Sequence, residues 1–164
     1  MVEIAYQGVL MGIFATIGQD LCAAVLSLVF RLPAGDLTLV GRWLGHMSKG
    51  VLIHRSISES DVIPNERLIG WLAHYLLGTA LGLTYLSITH LLLHRDPTIA
   101  SAVIFGPASL IIPWLIAQPS MGAGLFASRT SQPGLARSVT LSLHVAFGVS
   151  LYAAWLLIQW YAVP

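Results

Sequence analysis

Charge is scarce in this chain. Asp, Glu, Lys and Arg make up 9% of its 164 residues against 56% hydrophobic ones. Soluble domains carry about 25% charged residues, so the shortage excludes an ordinary water-exposed globule. Cysteine is almost missing: Cys22 stands alone, which excludes an intrachain disulfide and any CxxC-type metal cluster. A formal net charge of +1 gives no footprint for a polyanion, and no nucleic-acid partner is expected. HExxH, nucleophile elbows, P-loops and dinucleotide fingerprints are absent, as is the strand alternation of a membrane barrel. The opening MVEIAYQG lacks a basic n-region, carries Glu3 and leads into an apolar run too long for an h-region. It is therefore expected to remain as a span, not to be cleaved as a signal.

What is present is apolar length. Four stretches, about 5–30, 68–93, 98–126 and 138–161, each reach the ~20 residues that a helix needs to cross a bilayer. The expected fold is an all-α integral membrane protein, one domain over 1–164 with four transmembrane helices, and its first partner is the lipid. Arg31, Arg42, Lys49, Arg55 and Arg67 fall between spans one and two, Arg129 and Arg137 between spans three and four, and only Arg95 on the other side. By the positive-inside bias the 31–67 and 127–137 loops face the cytoplasm and both termini face away from it. Trp160 and Tyr161 suit an aromatic anchor at the outer end of span four.

The 31–67 connection is long enough to carry structure or a task. Within it, LTLVGRWLGHMSKG sets Leu39, Val40, Trp43, Leu44 and Met47 on one helical face and Arg42, His46 and Lys49 on the other. That pattern predicts a short interfacial helix, either an anchor touching lipid phosphates or a basic lid over a site in the bundle. Pro64 and Glu66 fit the start of span two, where a missing N–H costs nothing and an acid meets the positive end of the helix dipole. Pro107, Pro113 and Pro119 predict a kinked or broken span three, followed by Gly122 and Gly124.

Each span also carries one strongly polar side chain. Counting 1.5 Å per residue from the cytoplasmic end puts Asp20 about 15 Å deep, His74 about 9 Å, Gln118 about 12 Å and His144 about 9 Å. Gly8, Gly12, Thr16 and Asp20 recur every four residues, as do His74, Gly78 and Gly82, and His144, Gly148 and Tyr152. Small residues at this spacing mark close helix contact in membranes, so the polar groups share the packing faces. Asp20 is expected to face His74, His144 or both. The matching HYLLG and HVAFG segments allow two related hairpins, 1–93 and 98–164, with Asp20 and Gln118 as counterparts.

A purely structural network is one reading of these residues. The other takes intramembrane ionisable groups as a site that relays protons or holds a small molecule. Two histidines and a carboxylate also form a ligand set for a divalent first-row metal, with Asp20, His74 and His144 as the candidates. His90 and His94, at i and i+4, are a second candidate pair at the outer end of span two.

The phrases LVGRWLGHM, GWLAHYLLG, QPSMGAGLFASRT and HVAFGVSLY resemble a bacterial inner-membrane family known as domain of unknown function 2938, over nearly the whole chain. The resemblance implies a multi-pass protein of the bacterial inner membrane. It implies Asp20, Arg42, Trp43, His46, His54, Glu66, His74, Gln118, Pro119 and His144 as pattern positions, and so adds His46 and His54 to the candidates. It implies no reaction. Two function classes are carried forward. One is a binding protein for a small molecule or ion, a transporter or accessory subunit acting as a homo-oligomer or within a membrane complex. The other is an intramembrane enzyme acting on an anionic or lipid-linked substrate, with Arg42 and His46 on the head group.

Overall fold

A computed structural model describes residues 2–32 and 35–162. Among them there is no strand, and four helical stretches are long and apolar enough to cross a membrane: Val2–Phe30, Glu66–Leu92, Ile99–Ser120 and Pro133–Tyr161. Helix α1 covers Val2–Phe30. The short α2, Leu37–Met47, starts on Asp36, whose carboxylate accepts from the Thr38 N–H at 2.8 Å. Helix α3, Glu66–Ser87, runs on into a π turn over Ile88–Leu92.

The third span is broken, as its three prolines predict, and it ends earlier than expected. Helix α4 covers Ile99–Ala108, opened by a Thr98–Ser101 capping box and carrying Pro107 near its end. A π-helical turn, Pro113–Ala117, follows, and then the three-residue α5, Gln118–Ser120. Proline supplies no N–H and crowds the preceding turn, which accounts for the break. The helix ends at Ser120, short of the expected 126, because Gly122 and Gly124 take left-handed conformations (φ 94° and 75°). Helix α6, Pro133–Ala162, closes the bundle.

Helix α1 packs against α3 and α6, α4 against α6, and α2 lies on α3. Backbone meets backbone where α1 crosses α3: a Cβ on Gly12 would stand 2.5 Å from the Gly78 carbonyl oxygen, and one on Gly82 would strike the Gly12 backbone. Gly106 and Gly148 give α4 and α6 the same intimacy, and Gly41 and Gly70 join α2 to α3. In lipid such contacts hold helices together by dispersion, with no hydrophobic drive between them. Large apolar residues such as Leu21, Val25, Leu76 and Ile104 point outward, where acyl chains would cover them.

The fully buried core is Met11, Ala15, Leu86, Ala102 and Leu151, with Tyr85, Phe147 and Trp155 around it. It occupies the half of the bundle away from α2. The other half is hollow.

Candidate functional site

The hollow is a cavity of about 350 Å³ at the α2 end, within the range of small-molecule sites. The amphipathic α2 forms one wall with Leu37, Val40, Trp43 and Leu44. Helix α3 contributes Ala73, Leu77 and Leu81, and the broken third span contributes Ile112 and Pro113. Polar groups are few: Gln19, His74, Ser109 and His144, besides the Trp43 indole, which already donates to the Leu52 carbonyl at 2.9 Å.

Asp20 meets His74. The carboxylate takes the ring Nε2 on Oδ1 and the Tyr75 hydroxyl on Oδ2, both at 2.9 Å. One donor on each oxygen is what makes a carboxylate tolerable at this depth. The four-residue register that aligns Gly8, Gly12, Thr16 and Asp20 brings it there, since the Thr16–Gly78 contact sets the two helices close enough for the Asp20–His74 hydrogen bond one turn on. Trp71 lies edge-on to the His74 ring, with centroids 6.1 Å apart.

His144 does not join Asp20. Its Nδ1 lies 2.7 Å from Ser109 Oγ, which in turn bonds the Gly106 carbonyl at 2.6 Å. The two histidines line one cavity from opposite helix pairs, each held by a residue of its own hairpin. Ser109 stands beside His144 as Asp20 does beside His74, and Gln118, the expected counterpart of Asp20, is not among the lining residues. The expected metal set of Asp20, His74 and His144 does not converge, and among the described residues no three His, Cys, Asp or Glu side chains do so. The second candidate pair lines one open recess with Arg95 and Asp96: His94 lies beyond the π turn in a left-handed conformation (φ 49°), while His90 packs against Trp155 and approaches Asp96 at 3.5 Å.

Gln118 and His54 sit around the break instead. His54 donates its backbone N–H to Ser120 at 2.8 Å and Ile57 donates to Met121 at 3.1 Å, so the loop is stitched to the broken span. The Gln118 Oε1 and both His54 ring nitrogens are buried without a partner. The His54 ring stands edge to face on His46, with centroids 5.1 Å apart, and His46 Nε2 meets the Asp61 carbonyl at 2.9 Å.

Arg42 and Glu66 form the clasp of this plug. Arg42 donates Nε and Nη2 to the two Glu66 oxygens, both at 2.8 Å, and Nη1 toward the carbonyls of Ser58 and Ser60. Glu66 also accepts the Ile63 N–H at 3.1 Å, which ties the turn before α3 to its first residue. The Glu66 hydrogen bonds hold the Arg42 guanidinium above its ordinary range. Because four of its five N–H donors are spent within the chain, Arg42 keeps one, on Nη2, for the head-group contact expected of it.

Gln19, Tyr75 and Ser109 were not legible as site residues. Tyr75 adjoins His74, which is a usable signal; Ser109 has none, since a serine in a helix ordinarily bonds its own backbone. No curated protein and no solved structure matches this chain. The sequence pattern of one family matches residues 9–158, and the chain therefore belongs to that family, described as "Protein of unknown function (DUF2938)".

Proposed function

We propose that the protein is a bacterial inner-membrane protein that binds a small molecule in this cavity, with His74 and His144 as the groups that meet its polar end. The single observation that carries the reading is the hollow itself: an apolar chamber into which two histidines project, each held by its own partner, Asp20 or Ser109. Interhelical hydrogen bonds average only about 0.6 kcal/mol in bilayer proteins, a small return for burying an ionisable pair. A largely apolar lining suits an organic ligand better than a bare ion. The seven-to-one distribution of Lys and Arg supports an orientation with α2 and the plug on the cytoplasmic side and both termini outside. Four helices are few for a complete transporter, so the chain would work as a homo-oligomer or as the ligand-holding subunit of a complex.

Native mass spectrometry of protein released from lipid nanodiscs tests the reading. Wild-type protein should carry a bound molecule of defined mass that Ala73→Trp, which fills the chamber, excludes. Identical spectra for the two would refute it.

A second reading, an intramembrane enzyme, draws on the Asp20–His74 pair, because a carboxylate that orients an imidazole is a recurrent way to build a general base. Turnover of a lipid-linked substrate that is lost in His74→Gln would favour it.

A further inference from the structure

With both rings neutral, the hydrogen bonds fix which nitrogens of the two histidines carry protons, and through them the chemistry of the ligand. Ser109 has one hydroxyl proton and two close neighbours. The Gly106 carbonyl, 2.6 Å away, can only accept, so the proton points there. Ser109 Oγ must then accept from His144, and the 2.7 Å contact is an Nδ1–H donation. An imidazole kept uncharged, as an apolar wall favours, has one N–H. His144 Nε2 is therefore a bare lone pair.

His74 follows the same count. Its Nε2 donates to the Asp20 carboxylate, whose other oxygen takes the Tyr75 hydroxyl. In the neutral ring its remaining nitrogen, Nδ1, is again a lone pair. Both rings line the cavity. Ser109 has spent its proton and Trp43 has spent its N–H on Leu52. Among the polar side chains around the chamber, the Gln19 amide alone retains N–H donors, and it supplies an acceptor as well.

We infer that the cavity takes a neutral alcohol with an apolar body, whose hydroxyl donates to a histidine lone pair and accepts from the Gln19 amide. A carboxylate or phosphate head would bring lone pairs and charge against lone pairs, in a chamber too apolar to solvate them. This assignment rests on the cavity being a binding site, and it goes further by naming the head group.

Thermal-shift titration of the full chain in nanodiscs, with dodecanol, dodecanoate and methyl dodecyl ether as probes, separates the two claims. Dodecanol should stabilise wild-type protein at a half-saturating concentration about tenfold below that of the ether, the worth of one hydrogen bond. It should not stabilise Ala73→Trp, or Leu44→Trp if the first variant fails to insert. Equal or tighter binding of dodecanoate, abolished in the filled variants, would overturn the alcohol assignment and leave the site standing. No response to any probe would overturn both. Nitrogen-15 spectra of labelled histidine give a readout independent of ligand. Unprotonated Nδ1 at His74 and unprotonated Nε2 at His144 are expected, and the opposite tautomer at His144 would contradict the assignment.

Discussion

The two halves of the bundle are built from the same helices and the same glycine contacts, yet one is solid and the other hollow. Away from α2, Met11, Ala15, Leu86 and Leu151 are buried completely. Toward α2, the third span breaks at Pro113, and α2 roofs a chamber that its neighbours leave open. Every charged or imidazole group of the cluster that reaches the chamber is in the hollow half. The packed half supplies rigidity, and the broken span and the roof supply room. Close packing in membranes depends on small residues and dispersion, so a span that loses its helical register cannot fill the same volume.

The comparison breaks most visibly at its packed half. Gly82→Leu would push α1 from α3 at the Gly12 contact. It should cost about 3 kcal/mol or more, read as loss of the folded species in SDS titration. Next comes the plug. Arg42→Ala leaves Glu66 and the Ser58 and Ser60 carbonyls without their shared donor, and trypsin should cut after Lys49 and Arg55 faster. Arg42→Lys should restore only part of the protection, because an ammonium cannot reproduce a bidentate fork. The sign of the pH dependence follows from the raised Arg42: its contribution is fully present below the ordinary arginine range and is lost only as pH rises beyond it. Mild alkali should therefore leave the cleavage rate unchanged.

A paired insertion sharpens the contrast. Ala102 is fully buried in the core and Ala73 lines the chamber. Ala102→Leu should cost about 1–3 kcal/mol by overpacking, and Ala73→Leu less than about 1 kcal/mol. Equal costs in SDS titration would mean that the hollow half is not hollow. The smallest effect on stability is expected from Asp20→Asn. The new amide keeps one acceptor oxygen and puts an NH2 in place of the other, so one of His74 and Tyr75 still donates while the other turns to accept, and stability should change by less than about 1 kcal/mol. Ligand-induced stabilisation should nevertheless vanish, since the His74 tautomer is no longer fixed.

The four spans, the amphipathic α2 and the Asp20–His74 contact were readable before any coordinates. They rest on periodicity, and periodicity survives in helices that run unbroken. Asp20 and His74 each sit on a face repeated every four residues through regular helix. Gln118 failed for the converse reason. The π turn at Pro113–Ala117 adds a residue to the turn, and one residue rotates all that follows by about 100°. His144, one of the two partners expected for Asp20, bonds Ser109 instead, a residue type too common in helices to mark a site. The Arg42–Glu66 clasp joins residues 24 apart, and a loop with several arginines offers no local cue to which one the glutamate takes.

An experimental density map of the protein in lipid nanodiscs reaches the central claim most directly, because it looks into the chamber. Density for a bound molecule is expected between His74 and His144, with Trp43 and Leu44 forming its roof. Collapse of α2 onto Phe147, with no space left between the two histidines, would contradict it.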